Sequence, residues 1–373
     1  MLKAYKYRLY LNDAQKEFMN KSFGCSRFVY NHCLDLKNKA YQTEKKSLSQ
    51  FDLCKKVVQL KKEENYKWLS EVDHQTLSCS VQNLDKAYTR FFREKKGFPK
   101  FKSKKNNIQS CQFTQGVKID FEKDKIRFPK IGWCSFSNSR IFEGNIKTVT
   151  VSRNACGFYY VSVLVDNGVI LPNKYVINEK TSIGIDVGIK HFATLSNGEK
   201  IDNPKYYESL QKRLSVLQRR ASKKQKGSAN RKKANLKVAR LYQDITNLRN
   251  DFLHKLSTKI VRENKTIIVE NLNVKGMMQN GNLAKSIGSV SWSTFFNYLK
   301  YKSDWYGSNY LEIGRFEPSS KMCSCGVINN DLKLSDRNWT CKSCGITHDR
   351  DTLAAKNIKR FGLEKQNLIK KTG

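Results

Sequence analysis

The sequence predicts an α+β protein of several domains, and three observations carry that expectation. At 373 residues the chain is too long for one hydrophobic core. Its apolar residues recur at three- and four-residue steps in some stretches and alternate in others, and the two patterns are segregated along the chain. Lysine and arginine number 70 against 33 aspartates and glutamates, a net charge of +37 that exceeds what solubility requires. Because the basic residues are spread along most of the chain, nucleic acid fits as partner better than a membrane surface.

Residues 3 to 11 alternate like a strand, and Asn12-Asp13 then offers a helix start. From 13 to about 94 the pattern is mostly helical, clearest at 75 to 92, where Leu77, Val81, Leu84, Tyr88, Phe91 and Phe92 share one face. KKGFPKFKSKK at 95 to 105 breaks the period at Gly97 and Pro99. It interleaves Phe98 and Phe101 with lysines, among them Lys100, Lys102, Lys104 and Lys105, which suits a phosphate backbone. Between about 110 and 180, runs such as IKTVTVSR and FYYVSVLVD predict short strands in a small β-barrel or sandwich. Residues 206 to 263 predict a helical hairpin broken near Gly227 to Asn230, with Leu210, Leu214, Leu217, Leu236, Ile245, Leu248, Phe252 and Leu256 inside. The opposite face carries Arg219, Arg220, Lys223, Lys224, Arg231 and Lys232, either a solvated surface or, given the total charge, a stripe facing a duplex.

Three carboxylates stand where apolar elements would bring them to one end of a sheet. Asp186 lies in SIGIDVGIKHFATLS, on a buried strand where an unpaired charge is costly. Glu270 ends the apolar run TIIVE. In HDRDTLAAKNIKR, either Asp349 or Asp351 stands at a helix N-terminus. Singly these read as a turn residue, a solvated strand end and a helix cap. Together, on a strand, a strand and a final helix, they form the arrangement by which RNase-H-like folds hold two divalent ions for phosphodiester cleavage, and the oxygen-only donor set favours magnesium.

The five histidines are dispersed, and GxSxG, HExxH and Walker patterns are missing, so hydrolase triads, zincins and ATP-driven motors are disfavoured. No run approaches the roughly eighteen apolar residues of a membrane span, and the opening residues lack a signal-peptide core, so a cytosolic protein without a membrane partner is expected. Seven of the eleven cysteines are scattered and read as small buried hydrophobes. Cys323, Cys325, Cys341 and Cys344 form two pairs, each followed by glycine, about sixteen residues apart, which predicts tetrahedral zinc. The first pair is one residue shorter than usual, so His348 is an alternative ligand to Cys325.

GCSRFVYNHCLDLKNKAY at 24 to 41, GFPKFKSKK at 97 to 105, GIDVGIKHFATLSNG at 184 to 198, IIVENLNVKGM at 267 to 277 and the CSCG, CKSCG and HDRDTLAAKNI tail resemble, in order, the blocks of the TnpB family of transposon-encoded proteins, relatives of type V CRISPR effectors. The resemblance covers essentially the whole chain. It implies an RNase-H-like (RuvC) α/β nuclease core at 181 to 315 and 349 to 373, with a zinc ribbon inserted at 316 to 348. It also implies a wedge β-barrel at 1 to 12 and 108 to 180, and a helical recognition domain inserted at 13 to 107. The implied activity is cleavage of double-stranded DNA in a bacterial or archaeal cytoplasm, directed by a guide RNA from the transposon end and a short target-adjacent motif, without ATP. Carried over by position, the catalytic, magnesium-binding trio is Asp186, Glu270 and Asp351, the second aspartate of the DRD, with Asp349 supporting it. Readers of the adjacent motif are expected within 13 to 107, with Gln75 and Gln82 as candidates.

Overall fold

The computed structural model describes residues 1–106, 108–281, 284–333 and 336–366. Residues 107, 282–283, 334–335 and 367–373, which the expected domain boundaries include, lie outside the described residues. Two compact units are present, Met1–Val169 and the chain from Ile170 onward.

In the first unit, β1 (Leu2–Tyr10) leads into α1 (Asp13–Glu44), α2 (Gln50–Leu60) and α3 (His74–Glu94), and β2 (Gln109–Phe113), β3 (Lys118–Asp120), β4 (Lys125–Phe128), β5 (Gly132–Phe136), β6 (Asn145–Arg153) and β7 (Tyr159–Asp166) follow. The start of α1 is set by a reciprocal cap: the Gln15 N–H donates to Asn12 Oδ1 at 2.8 Å and the Asn12 N–H to Gln15 Oε1 at 3.1 Å. The expected periodicity holds in α3 through Tyr88, and its Leu77, Val81 and Leu84 pack with Val29, Leu34, Leu53 and Leu69 from the other helices and their connections; Phe91 and Phe92, expected on the same face, lie beyond this core, with Phe92 72% exposed. The strands form one antiparallel sheet in the order β2-β6-β7-β1-β5-β4-β3. The amino-terminal strand therefore lies inside the sheet, and the three helices are inserted between it and its partners. Tyr7, Phe113, Phe128, Val149, Val161 and Val163 fill the core on one side. The strand pattern ends at Asp166, earlier than the expected 180, and Ile170 beyond it is 89% exposed.

The second unit contains β8 (Ser182–Val187), β9 (His191–Leu195), β10 (Lys200–Asp202), α4 (Tyr206–Ser209), α5 (Gln211–Ser222), α6 (Ala229–Glu263), β11 (Thr266–Glu270), α7 (Val274–Met277), α8 (Ala284–Val290), α9 (Trp292–Tyr306), β12 (Asn309–Ile313), β13 (Asn338–Thr340), β14 (Thr347–Asp349) and α10 (Arg350–Glu364). Five strands are ordered β10-β9-β8-β11-β12, with β8, β11 and β12 parallel and β9 and β10 antiparallel. Ile183, Ile185, Ile267 and Val269 join Leu253, Ile260, Phe295 and Leu299 on one face. Ile268 and Ile313 join Ile358, Phe361 and Leu363 of α10 on the other. Covering both faces explains the unbroken apolar run before Glu270.

The hairpin of α5 and α6 closes on Leu214, Leu241 and Ile245. Leu248, expected inside, is 45% exposed, and Leu241 takes the buried role on α6. Deeper in the unit, the buried Lys302 of α9 donates to the His254 carbonyl at 2.8 Å and to Ser257 Oγ and Thr258 Oγ1 at 2.7 Å, joining α9 to α6. Burial pushes its ammonium down to about 8 from 10.5. Between those values the unfolded chain holds a proton that the folded chain releases, so this group adds stability as pH rises through that window. Lys302→Met should remove that increment, which urea unfolding of both proteins at either end of the window measures.

Candidate active site

Asp186 and Glu270 reach one place because their strands are parallel neighbours. Val269 pairs with Ile185, so the next residues, Asp186 and Glu270, stand side by side at the carboxyl-terminal end of the two strands. Side chains alternate along a strand: Ile185 and Val269 enter the core beneath α6 and α9, so Asp186 and Glu270 turn to the face covered by α10. That helix lies very close to β8. A Cβ at Gly184 would stand 2.2 Å from the Ala355 carbonyl oxygen and 2.6 Å from the Lys359 nitrogen, so only glycine permits the approach. Asp351, in the first turn of α10, is thereby brought to the same carboxylates.

The electrostatics show the convergence. Burial holds the Asp186 carboxyl well above its ordinary range, and the charges of Glu270 and Asp351 push it further, against the pull of Arg350 and the Val187 N–H. Burial also raises Glu270, against the hydrogen bond from the Ser319 hydroxyl. A half-buried carboxyl that is pushed toward its neutral form beside two like charges is suited to divalent cations.

The two aspartates of the DRD part company. Asp349 caps α10, accepting from the Thr352 N–H at 2.9 Å, and pairs with Lys200 Nζ at 2.7 Å. Partial burial pushes its carboxyl up, but the Lys200 and Thr352 bonds outweigh this and hold it at about 2. Asp351 is near enough for its charge to act on Asp186, and Arg337 approaches it at 3.4 Å. Residue spacing could not separate them, because both lie at the same helix start.

Sequence reasoning missed the groups that hold the trio. Ser319 donates to Glu270 Oε1, and the buried Asn357 of α10 donates to the Ser319 and Met322 carbonyls, both at 2.7 Å. The segment entering the cysteine-rich region is thus tied to Glu270, while β14 at its exit runs directly into the helix bearing Asp351. Serine and asparagine carry no periodic signal, and these partners lie far apart in sequence.

Among the described residues, Cys323, Cys325, Cys341 and Cys344 form a group whose sulfurs all lie within 4.8 Å of one another. The carboxylate trio is not drawn together so tightly. The shortened first pair therefore still converges, and the two knuckles close alike: the Cys323 N–H donates to Val327 at 2.8 Å and the Cys341 N–H to Ile346 at 2.9 Å. Backbone N–H groups of Cys344 and Ser343 lower the Cys341 thiol to about 6, favouring the thiolate that binds metal. His348 Nε2 lies 3.0 Å from Cys323 Sγ, beside the cluster, and its ring packs against Trp339. A four-sulfur set of this size suits structural zinc. Of the other cysteines, all but the half-buried Cys54 are buried.

The expected nucleic-acid contacts divide by environment. Lys100, Lys102, Lys104, Lys105, Arg219, Arg220, Lys223, Lys224 and Lys232 are exposed. Lys102 stands 4.0 Å from the centre of the Tyr30 ring, and Arg231 donates to the Lys224 carbonyl at 2.9 Å, closing the hairpin turn. The Gln75 amide is engaged internally, accepting from the Thr114 and Gln115 N–H groups at 3.0 and 2.7 Å and donating to the Gln115 carbonyl at 3.3 Å. That engagement conflicts with Gln75 as a reader of bases. Gln82, on the same helix, is half-buried. No helix of the described residues is long and apolar enough to cross a membrane.

Comparison with known proteins identifies the family of the chain. The family described as "Probable transposase" matches residues 161–281, and one described as "Cas12f1-like, TNB domain" matches 292–358. A "Helix-turn-helix domain" family matches 1–46, although that segment here is a strand and one continuous helix. A Streptomyces pristinaespiralis protein named "Putative RNA-guided DNA endonuclease" is 39% identical over 97% of this chain and 89% of its own length. InsQ of Escherichia coli K12, with the same description, is 32% identical over 97% of this chain and 92% of its own. The fold is similar to that in a Cas12f1-sgRNA-target DNA complex, with a TM-score of 0.57 at 16% identity over 94% of this chain and 83% of that one. With near full-length relatives of this kind, the chain belongs to the TnpB-like family of RNA-guided DNA endonucleases.

Proposed function

We propose that this chain cuts double-stranded DNA by metal-assisted phosphodiester hydrolysis at Asp186, Glu270 and Asp351, directed by a bound RNA from the transposon end and by a short motif beside the target. The observation that carries the reading is that the parallel register of β8 and β11 and the close approach of α10 gather three carboxylates about the half-buried Asp186, whose ionisation the other two oppose. Two magnesium ions held there would supply an activated water and neutralise the leaving oxygen. The chain's own part is positional: the parallel register sets Asp186 beside Glu270, Gly184 admits α10, Ser319 orients Glu270, and Asp349 with Lys200 anchors the helix that presents Asp351. The five-stranded sheet with α10 supports an RNase-H-like, RuvC-type core. The seven-stranded sheet and α1 to α3 support the wedge and recognition parts, and the exposed lysines and arginines support backbone contacts to a heteroduplex whose sequence is read by pairing. The closed four-cysteine cluster supports a structural zinc ribbon.

The test is to purify the protein with its co-expressed RNA and to challenge plasmids carrying a matched target beside a randomised flank, with and without magnesium. Cutting that requires match, flank and magnesium is expected. Matched binding without cutting would make the chain a repressor, and a preparation without RNA would overturn guidance altogether.

A further inference from the structure

We propose that the ends of α1 and α3, with the loop that follows α3, form a stacking site for an unpaired nucleobase of the bound RNA. Tyr41, Tyr88, Phe91, Phe92 and Phe98 line a groove of about 580 Å³ whose walls also carry Lys37, Asn38 and Gln42. The rings are mutually braced: Phe91 meets Phe92 and Phe98 edge-on at 5.0 and 5.3 Å between centres, and Tyr88 meets Phe98 edge-on at 5.6 Å. Tyr88 is fixed by its hydroxyl, which donates to Asn38 Oδ1 at 2.9 Å. Yet Phe92 is 72% exposed, Tyr41 59% and Phe98 47%, so the outer rings offer their surfaces outward and do not complete the helical core beneath them.

Charge identifies the occupant. Lys37 lies 4.6 Å from the centre of the Tyr88 ring and Lys45 lies 5.4 Å from that of Tyr41, while Lys95, Lys96 and Lys100 follow in the adjoining loop. Lysine is depleted from protein–protein contacts, where its ammonium would lose water without a partner. Aromatic faces rimmed by lysines instead match a single-stranded nucleic acid, whose bases stack on rings while phosphates meet the ammonium groups. The amides of Asn38 and Gln42 add groups that can pair with a base edge or a 2′-hydroxyl, which favours splayed-out RNA over DNA. The groove belongs to the first unit and the carboxylates to the second, and the inference rests on the reading of the chain as RNA-guided.

The test is ultraviolet crosslinking of the ribonucleoprotein as purified, with 4-thiouridine incorporated in the RNA and adducts mapped by mass spectrometry. Adducts are expected in peptides spanning residues 37–47 or 88–98. Phe92→Ala, which removes an exposed ring, should lower their yield at least about fivefold, the size of one lost stacking contact, with adducts elsewhere and the circular dichroism unchanged. RNA adducts elsewhere but none in these peptides would overturn the stacking site while leaving RNA guidance intact. Adducts there only with single-stranded DNA, after ribonuclease treatment, would overturn the assignment to RNA. A dimer in solution that Phe92→Glu dissociates, without nucleotide adducts, would assign the groove to a second copy of the chain.

Discussion

Asp186→Ala lowers DNA cutting at least about a thousandfold while RNA and matched-target binding stay within about twofold of the unaltered protein. The separation follows from where Asp186 sits. It is held on β8 among Glu270, Asp351 and Arg350, and differs in chemistry from the exposed lysines proposed to meet phosphates. Removing it takes one anionic arm from the proposed ion site and relieves a buried charge, so the fold should not suffer. Cleavage assays and filter binding on the same preparations check both halves. Lost target binding in the variant would contradict a purely metal-binding role.

Stripping the cysteine cluster, by chelation or by Cys341→Ser, lowers cutting about a hundredfold with every carboxylate still present. Among the described residues, the apolar interior beneath the cluster is Cys323, Trp339, Cys341 and Leu353 with the half-buried Leu332 against them, too little to hold a ribbon without metal. Both of its ends bear on the active site, through Ser319 at Glu270 and through β14 into the helix of Asp351. Loss of the ribbon therefore loosens two carboxylates together. Zinc content, cutting rate and a thermal scan of one preparation test this. His348→Ala should keep its zinc, because four sulfurs already converge; loss of zinc there would make His348 a ligand.

Much of this site is legible in the chain's local patterns. TIIVE ends in Glu270, SIGID ends in Asp186, and the paired cysteines are spaced for a metal, because period, burial and ligand spacing are local properties of a chain. The family resemblance added the choice of Asp351, which the local pattern left open between two aspartates of one helix start. Leu248 shows the limit of the pattern: it fits the apolar stripe of α6, yet it remains exposed while Leu241 and Ile245 are covered.

By itself, then, the sequence determined the alternation of strand and helix, the excess of positive charge, the three acidic positions and the four-sulfur motif. Tertiary structure alone decided that β8 and β11 are neighbours in register, that α10 closes over Gly184, that Asp349 is spent on Lys200, and that Ser319 and Asn357 brace Glu270. It also decided that the Gln75 amide is consumed by Thr114 and Gln115. The physical reason is common to all of these. Strand pairing, close helix approach and the partners of buried polar groups depend on residues tens to hundreds of positions apart, and no local period encodes which of them will meet.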